Sequence, residues 1–250
     1  MAGKDTNTGA KRARELRDEL GLAVDEPLAC ILTLIEERLD LPVILSVLPE
    51  GIAGCCWRDE DRVLLWVNGT QADVRQRFTL AHELGHVRCG HDASIAVDSF
   101  ETISGRTTDA REIQANAFAA ELLAPSDGVR SALDGDPSLD DVVLLAARFG
   151  ISTIAALYRL NTLGLTARYG TLKREIEEGL ADAVWERLAP PPLEDAIAKL
   201  DVELLPRLSP ALAGSALAAL ASGATSVGDA ASAAGCEPDQ LASGALTIRV

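Results

Sequence analysis

The feature that most constrains this chain is His82-Glu83-Leu84-Gly85-His86, which lies within a stretch of helical spacing. In an α-helix, residues four apart lie on one face, so both imidazoles can face the same metal ion. Glu83 lies beside that face, where its carboxylate can reach a water on the ion. The chain has three histidines, and two of them occupy these positions. The pattern predicts a helix that carries two zinc ligands and a general base.

The residues around this motif favour a buried helix. Phe78, Leu80 and Leu84 give the rest of the helix an apolar character. The alternative is a solvent-exposed or structural helix whose histidines are coincidental, because short motifs of this kind also occur by chance.

A catalytic zinc site needs a third protein ligand, and His91 is the first candidate to test. In the pattern HExxHxxGxxH the third histidine would fall at Asp92, one residue after His91. That pattern also requires a methionine turn, and Met1 is the only methionine in the chain. We therefore expect His91 to pack or hydrogen-bond behind the site rather than to bind the metal.

Glu112 is the preferred third ligand, because a following helix would supply it in a two-His, one-Glu arrangement. Asn116 lies one turn later on the same face, where its amide could hydrogen-bond a ligating residue. Asp109-x-x-Glu112 also matches a helix capping box, which explains Glu112 equally well by position alone. The weaker candidates for the third ligand are Glu101, Glu121 and Cys89.

The remaining pattern predicts an α+β fold. Short runs rich in Val, Ile and Trp predict strands at 42–48, 52–57 and 63–67. Helical spacing predicts helices at 11–20, 26–39, 71–89, 109–123, 139–149 and 152–163. Residues 91–107 lack periodicity and predict a loop. The chain from about residue 171 is helical and Ala-rich with a break at 189–192, which indicates a domain over 1–165 and a helical C-terminal region over 166–250.

Two segments together resemble the ImmA/IrrE family of metallopeptidases. They are RFTLAHELGHVRCGH and EIQANAFAAELLAP, and the resemblance covers roughly residues 10–165. It implies a minimal zincin-like fold, Zn²⁺ held by His82, His86 and Glu112, and Glu83 as the catalytic base. It further implies cleavage of a separate helix-turn-helix transcriptional repressor in a phage, mobile-element or stress response.

The acidic composition limits the expected partners. A net charge of −15 opposes contact with phosphate backbones, so we expect no direct binding of nucleic acid. Turns that resemble a helix-turn-helix occur at 145–152 and 227–235, but no Lys or Arg lies between Arg207 and Arg249 to support the second. No apolar run reaches the roughly 20 residues of a membrane span, so no membrane partner is expected.

The cysteine pattern favours a reducing compartment. Five cysteines without regular spacing indicate reduced thiols and a cytoplasmic location rather than a disulfide framework. The Ala-rich tail favours close helix packing and homo-oligomerisation.

Peptide hydrolysis also needs a donor for the developing oxyanion. The candidates in the sequence are Tyr158, Arg159, Tyr169 and a backbone amide. Two other functions stay open: a zinc-containing, protein-binding regulatory module that acts without proteolysis, and an antitoxin-like partner that acts by occlusion. Glu83 argues against the regulatory module, because a structural zinc site does not need it.

Overall fold

A mixed sheet and a set of packed helices form the fold in the computed structural model, which describes residues 2–48, 50–59, 62–91, 95–99, 107–191, 207–208 and 226. The helices are α1 (Ala2–Glu19), α2 (Ile31–Thr33), α3 (Asp73–Cys89), α4 (Ala110–Leu123), α5 (Ser126–Ser131), α6 (Leu139–Phe149), α7 (Thr153–Thr162), α8 (Tyr169–Glu177) and α9 (Leu180–Leu188). A π-helical turn, Leu34–Arg38, continues α2. The strands are β1 (Val43–Ser46), β2 (Ile52–Asp59), β3 (Arg62–Asn68), β4 (Ile95–Ser99) and β5 (Arg207–Leu208).

The strands form one sheet in the order β4-β2-β3-β1-β5. Strand β3 pairs in parallel with β1 and antiparallel with β2, and β2 pairs antiparallel with β4. Alternate residues of β3, Leu65 and Val67, are fully buried, as expected of a strand with one face on the core. Helix α3 packs against β2 and β3. The sheet therefore covers the helix that carries the histidine motif.

The structure confirms the predicted α+β class, with β1, β2 and β3 where the sequence indicated strands. The predicted loop at 91–107 is wrong in part, because Ile95–Ser99 forms β4. Five residues without clear periodicity become a strand through their antiparallel pairing with β2. Such a tertiary pairing leaves no local pattern in the sequence.

The predicted helix at 26–39 is shorter than expected and starts only at Ile31. Two buried arginines bind the carbonyls that a longer helix would have used. Arg17 donates to the carbonyl oxygens of Ala23 and Glu26, and Arg77 donates to those of Leu28 and Ala29. These side-chain donors satisfy backbone acceptors, most of them partly buried, and so stabilise a non-helical segment.

Helix α4 lies between α1 and α3, and glycines on both neighbours allow the close contact. A Cβ placed on Gly9 of α1 would lie 2.0 Å from the carbonyl oxygen of Gln114. A Cβ placed on Gly85 of α3 would lie 3.1 Å from the Cα of Ala115. Phe118, which is fully buried, fills the space next to both contacts. Side chains on α4 are thereby held within reach of α3.

The first helices after residue 165 pack on those before it. Leu172 of α8 is fully buried in the main core, and the Trp185 indole nitrogen of α9 donates to the hydroxyl of Thr153 in α7. The domain boundary at residue 165 stays a prediction. Of the predicted tail, residues 192–206 and most of the chain beyond 208, including the turn at 227–235, lie outside the described residues.

No single helix in the described ranges has the length and apolar character needed to cross a membrane. The pair α6 and α7 meets that criterion only when taken together, and the two helices are bent by 105° at their junction.

Candidate metal centre

Three side-chain atoms from two helices converge on one point. His82 and His86 of α3 lie one turn apart, and their Nε2 atoms are 3.1 Å from each other. Glu112 of α4 brings its Oε2 atom to 3.2 Å from the Nε2 of His82 and 3.5 Å from the Nε2 of His86. The structure thus brings together the three residues that the sequence predicted as ligands, and we call them the ligand cluster.

The spacing of the ligand cluster fits a tetrahedral metal ion. Ligands about 2.0–2.1 Å from a zinc ion at tetrahedral angles are about 3.3 Å from one another. The observed separations of 3.1, 3.2 and 3.5 Å bracket that value. Two imidazole nitrogens and one carboxylate oxygen are also the donor set of many catalytic zinc sites, which keep a fourth position for water or substrate. The cluster could therefore hold a divalent metal ion.

Burial and charge at the ligand cluster favour this role. The side chains of His82 and His86 are 0% and 4% exposed, that of Glu112 is 13% exposed, and the Glu112 Oε2 atom that faces the histidines is buried. Burial acts to raise the pKa of Glu112, but hydrogen bonds and electrostatic contacts with the two histidines hold it well below its usual value. A lowered pKa favours the ionised carboxylate, the form that binds a metal.

Glu112 also lies at the start of α4, where the sequence allowed it to be part of a cap. Asp109 caps the helix, because its carboxylate accepts a hydrogen bond from the backbone amide of Arg111. The backbone amide of Asp109 donates to Thr107 Oγ1, which is the bond that Glu112 would accept in a capping box. The Glu112 side chain instead faces the two histidines.

Glu83 lies next to His82 and is fully buried. Strand β2 passes directly over it, because a Cβ placed on Gly54 would lie 2.8 Å from the Oε1 of Glu83 and 2.7 Å from the Cγ2 of Thr79. Only a glycine leaves space for the carboxylate at this point. No local sequence pattern connects residue 54 with the motif, since the contact depends on how the sheet lies over α3.

Polar side chains contact the Nδ1 atoms of His82 and His86, the ring nitrogens that are not part of the ligand cluster. His82 Nδ1 lies 3.0 Å from Asn116 Oδ1, and His86 Nδ1 lies 2.9 Å from His91 Nδ1. The structure therefore places Asn116 and His91 behind the ligand cluster, where the sequence analysis expected them. Burial lowers the pKa of His91, which favours the neutral ring.

Gln114 is a site residue that sequence reasoning missed. Its Oε1 lies 3.2 Å from His91 Nε2, and its Nε2 donates to Asp5 of α1 at 3.1 Å. Gln114 lies about 200° around the helix from Glu112. A search for residues on the ligand face could therefore not find it, because its long side chain turns toward His91.

The structure does not bring Arg159 to the ligand cluster. Its guanidinium is 7% exposed, pairs with Glu121 and donates to the carbonyl oxygen of Ala124. Glu121 lies more than two turns beyond Glu112 on α4, roughly 13 Å along the helix axis. This corrects the expectation that Arg159 could donate to an oxyanion, and it also removes Glu121 as a third ligand.

Three further candidates from the sequence are Tyr158 as an oxyanion donor and Cys89 and Glu101 as metal ligands. The Tyr158 ring is 38% exposed and lies 6.1 Å from the ring of Tyr169, and its role as a donor stays a prediction. Cys89 does not belong to the ligand cluster, and burial raises the pKa of its thiol to about 11. Glu101 lies outside the described residues.

Comparisons with known proteins relate this chain to a family of metalloproteases. A family profile described as Peptidase_M78, the IrrE N-terminal-like domain, matches residues 36–161. Radiation response metalloprotease IrrE of Deinococcus radiodurans is 34% identical over an aligned length of 125 residues, and the match covers 47% of this chain and 36% of that protein. The protein of the same name in Deinococcus deserti is 32% identical over an aligned length of 120 residues, and the match covers 47% of this chain and 42% of that protein. The chain therefore spans less than half the length of the curated relatives it matches.

Proposed function

Because the chain belongs to the Peptidase_M78 family of IrrE N-terminal-like domains, we propose that it is a zinc-dependent endopeptidase. The observation that carries the proposal is the ligand cluster, whose donor separations of 3.1, 3.2 and 3.5 Å match the edges of a zinc tetrahedron. Glu83, buried beside it, supplies the carboxylate that peptide hydrolysis requires and that a purely structural zinc site does not.

Each residue then has a defined part in the reaction. His82, His86 and Glu112 hold the ion, which when bound polarises the scissile carbonyl and activates a water for attack. Glu83 takes the proton of the attacking water and delivers it to the leaving amine nitrogen. Asn116 and His91 keep the two histidines in the orientation that presents Nε2 to the ion. Gly54 leaves the space that Glu83 needs to act.

The proposed substrate is a separate helix-turn-helix transcriptional repressor, cut in a phage, mobile-element or stress response. The resemblance to the ImmA/IrrE family supports this substrate class, and the names of the two relatives, radiation response metalloproteases, support the stress context. The net charge of −15 supports a protein partner rather than a nucleic acid. Free thiols at Cys30 and Cys89 support a reducing compartment, and we propose the cytoplasm.

The test combines metal analysis with cleavage. The purified chain should contain about one zinc per molecule after loading with Zn²⁺, and a chelator should remove it. With zinc, the chain should cut the repressor encoded next to its own gene, and mass spectrometry of the fragments gives the bond. Glu83→Gln should keep the metal and lose the cleavage, because it keeps the shape of the side chain and removes the base.

The results separate the proposed enzyme from its alternatives. Equal cleavage by the wild type and Glu83→Gln would exclude Glu83 as the base. Zinc binding without cleavage of any candidate repressor, but with a stable complex, would indicate the regulatory module instead. A folded chain that takes up no transition metal would exclude the peptidase.

A further inference from the structure

A continuous series of polar contacts joins the ligand cluster to the N-terminal helix. It runs from His86 Nδ1 to His91 Nδ1 at 2.9 Å, and from His91 Nε2 to Gln114 Oε1 at 3.2 Å. It ends where Gln114 Nε2 donates to Asp5 Oδ1 at 3.1 Å. We call these four residues the relay. His86 lies in α3 and His91 two residues after its end, while Gln114 lies in α4 and Asp5 in α1, so the relay links three separate parts of the chain.

The hydrogen bonds of the relay all run in one direction, because its last member, the carboxylate of Asp5, can only accept a hydrogen bond. An ionised carboxylate has no proton to donate, so Asp5 must receive an N–H from the amide group of Gln114. The amide oxygen of Gln114 then faces His91, and His91 Nε2 must carry the proton that it donates. When the His91 ring is neutral, its Nδ1 carries no proton and can only accept a hydrogen bond. The proton between His91 Nδ1 and His86 Nδ1 must therefore be on His86.

This direction has a consequence at the metal. A neutral imidazole with its proton on Nδ1 has its lone pair on Nε2. In His86 that is the atom which lies 3.1 Å from His82 Nε2 and 3.5 Å from Glu112 Oε2. The carboxylate on α1 therefore determines, through two intermediate side chains, which nitrogen of His86 is available to a metal ion.

We propose that Asp5 and Gln114 are positioning residues that hold His91 as its Nε2–H tautomer and, through it, His86 as its Nδ1–H tautomer. The proposal rests on the proposed function in one respect, that His86 binds the ion. Gly9 supports it independently: this residue lies one turn after Asp5 on α1 and allows α1 to approach Gln114 closely. The same face of α1 thus holds both the backbone and the side-chain amide of Gln114.

His82 offers an internal comparison, since a single contact sets its tautomer. Its Nδ1 lies 3.0 Å from Asn116 Oδ1, which comes directly from α4. Changes at Asp5 should therefore alter the protonation pattern of His91, and that of His86 in the metal-free chain, and leave that of His82 unchanged. A general loss of structure would alter all three.

The experiment reads the tautomers directly by NMR of the zinc-loaded, full-length chain labelled with ¹⁵N in histidine. Three histidines give three ring systems, so long-range ¹H–¹⁵N correlations can identify each. The wild type should show His91 protonated on Nε2 and both His82 and His86 protonated on Nδ1. Asp5→Asn introduces an amide that can donate as well as accept, so the Gln114 amide can turn and His91 should become a mixture of tautomers.

Zinc affinity, measured by competition with a chelating indicator, gives a second readout that needs no substrate. Loss of a hydrogen-bond partner of a metal ligand typically weakens metal binding about 10- to 100-fold. We expect Gln114→Leu, which removes the acceptor for His91, to weaken zinc binding by about tenfold or more. Asp5→Asn acts one contact further away, and we expect a change of about two- to tenfold. Asp18→Asn, the same substitution at an exposed position of α1, is the matched control and should change nothing.

Exchanging the carboxylate at position 5 with the amide at position 114 tests the direction of the hydrogen bonds in the relay. In the double variant Asp5→Asn with Gln114→Glu, the introduced amide can donate to the introduced carboxylate, which still accepts from His91 Nε2. The double variant should regain the wild-type tautomers and bind zinc within about threefold of the wild type, although each single change weakens binding. Far-UV circular dichroism confirms that each variant is folded.

Two results would overturn the proposal: a wild-type His91 protonated on Nδ1, or a folded double variant that binds zinc no better than Asp5→Asn. A different result would exclude the proposed peptidase. A wild type with the expected tautomers that binds zinc but cleaves no repressor keeps the positioning role and excludes the enzyme. If the chain takes up no zinc, the tautomers of the metal-free chain still decide whether Asp5 and Gln114 position His91.

Discussion

Gly54 of β2 and Glu83 of α3 lie against each other so closely that a Cβ on the glycine would be 2.8 Å from the Oε1 of the glutamate. The sheet is therefore more than a support for α3, because it fixes one boundary of the space in which the proposed base works. Thr79, one turn before Glu83, forms the other side of this contact at 2.7 Å from the same position.

Gly54→Ala should reduce catalysis more than it reduces metal binding. The added methyl group must displace the Glu83 carboxylate or the strand, and a small displacement of a catalytic group can lower the rate about 100-fold. We expect kcat to fall about 10- to 100-fold with zinc affinity within a few-fold of the wild type. The control is Gly3→Ala, since no heavy atom lies within 4 Å of that position. Equal losses of kcat and zinc affinity would contradict the specific effect on Glu83.

Asn116→Ala should weaken zinc binding by about 10- to 100-fold, because it removes the acceptor for His82 Nδ1. Chelator competition measures the change, and Asn161→Ala at an exposed position of α7 is the control. Unchanged affinity in the folded Asn116 variant would show that the orientation of His82 does not depend on this amide.

Gly9→Ala should destabilise the fold, because α1 and α4 cannot keep their separation with a methyl group 2.0 Å from the Gln114 carbonyl oxygen. Overpacking of this kind costs about 1–3 kcal/mol of unfolding free energy. Urea denaturation of the zinc-free chain measures it, with Gly3→Ala on the same helix as the control. A Gly9 variant as stable as the control would mean that the two helices can separate at no cost.

Glu121→Gln should lower stability at neutral pH and make the chain less sensitive to acid. Burial acts to raise the pKa of Glu121, but Arg159 and hydrogen bonds from Ser126 hold it below its ordinary value of 4.5. A carboxylate with a lowered pKa stabilises the fold above that ordinary value and loses this contribution as the pH falls through the folded-state pKa. Removal of one partner of a buried ion pair costs about 3–5 kcal/mol.

Urea denaturation at pH 7 and at about pH 4, below the ordinary pKa of 4.5, tests this expectation. The difference in unfolding free energy between the wild type and Glu121→Gln should be largest at pH 7 and smaller in acid. A difference that grows as the pH falls would have the opposite sign and would exclude a lowered pKa for Glu121.

The sequence could predict the parts of the site that depend on one helix. His82 and His86 are related by a single helical turn, and Glu112 and Asn116 are related in the same way on α4, so local spacing was enough to propose all four. The α+β class followed from equally local patterns of period two and period 3.6. These relations depend only on local helix and strand geometry and not on how the rest of the chain packs.

The features that the sequence could not predict are contacts between elements. Strand β4 exists because it pairs with β2, and residues 26–30 are non-helical because Arg17 and Arg77 bind nearby carbonyls. Gln114 and Asp5 are far apart in the chain and meet only because α1 packs against α4. In each case the interaction depends on the packing of distant segments, which no window of local sequence contains.

Helix α4 uses three residues to contact the ligand cluster and the relay. Glu112 and Asn116 project from one face of the helix, and Gln114 projects from nearly the opposite face. A slide or rotation of α4 by a single residue would turn it by about 100° and break all of these contacts together. The ion would therefore be able to bind only when α4 has reached its native alignment between α1 and α3. Uptake of metal would thus report that α4 has reached this alignment, and it would make the alignment harder to reverse.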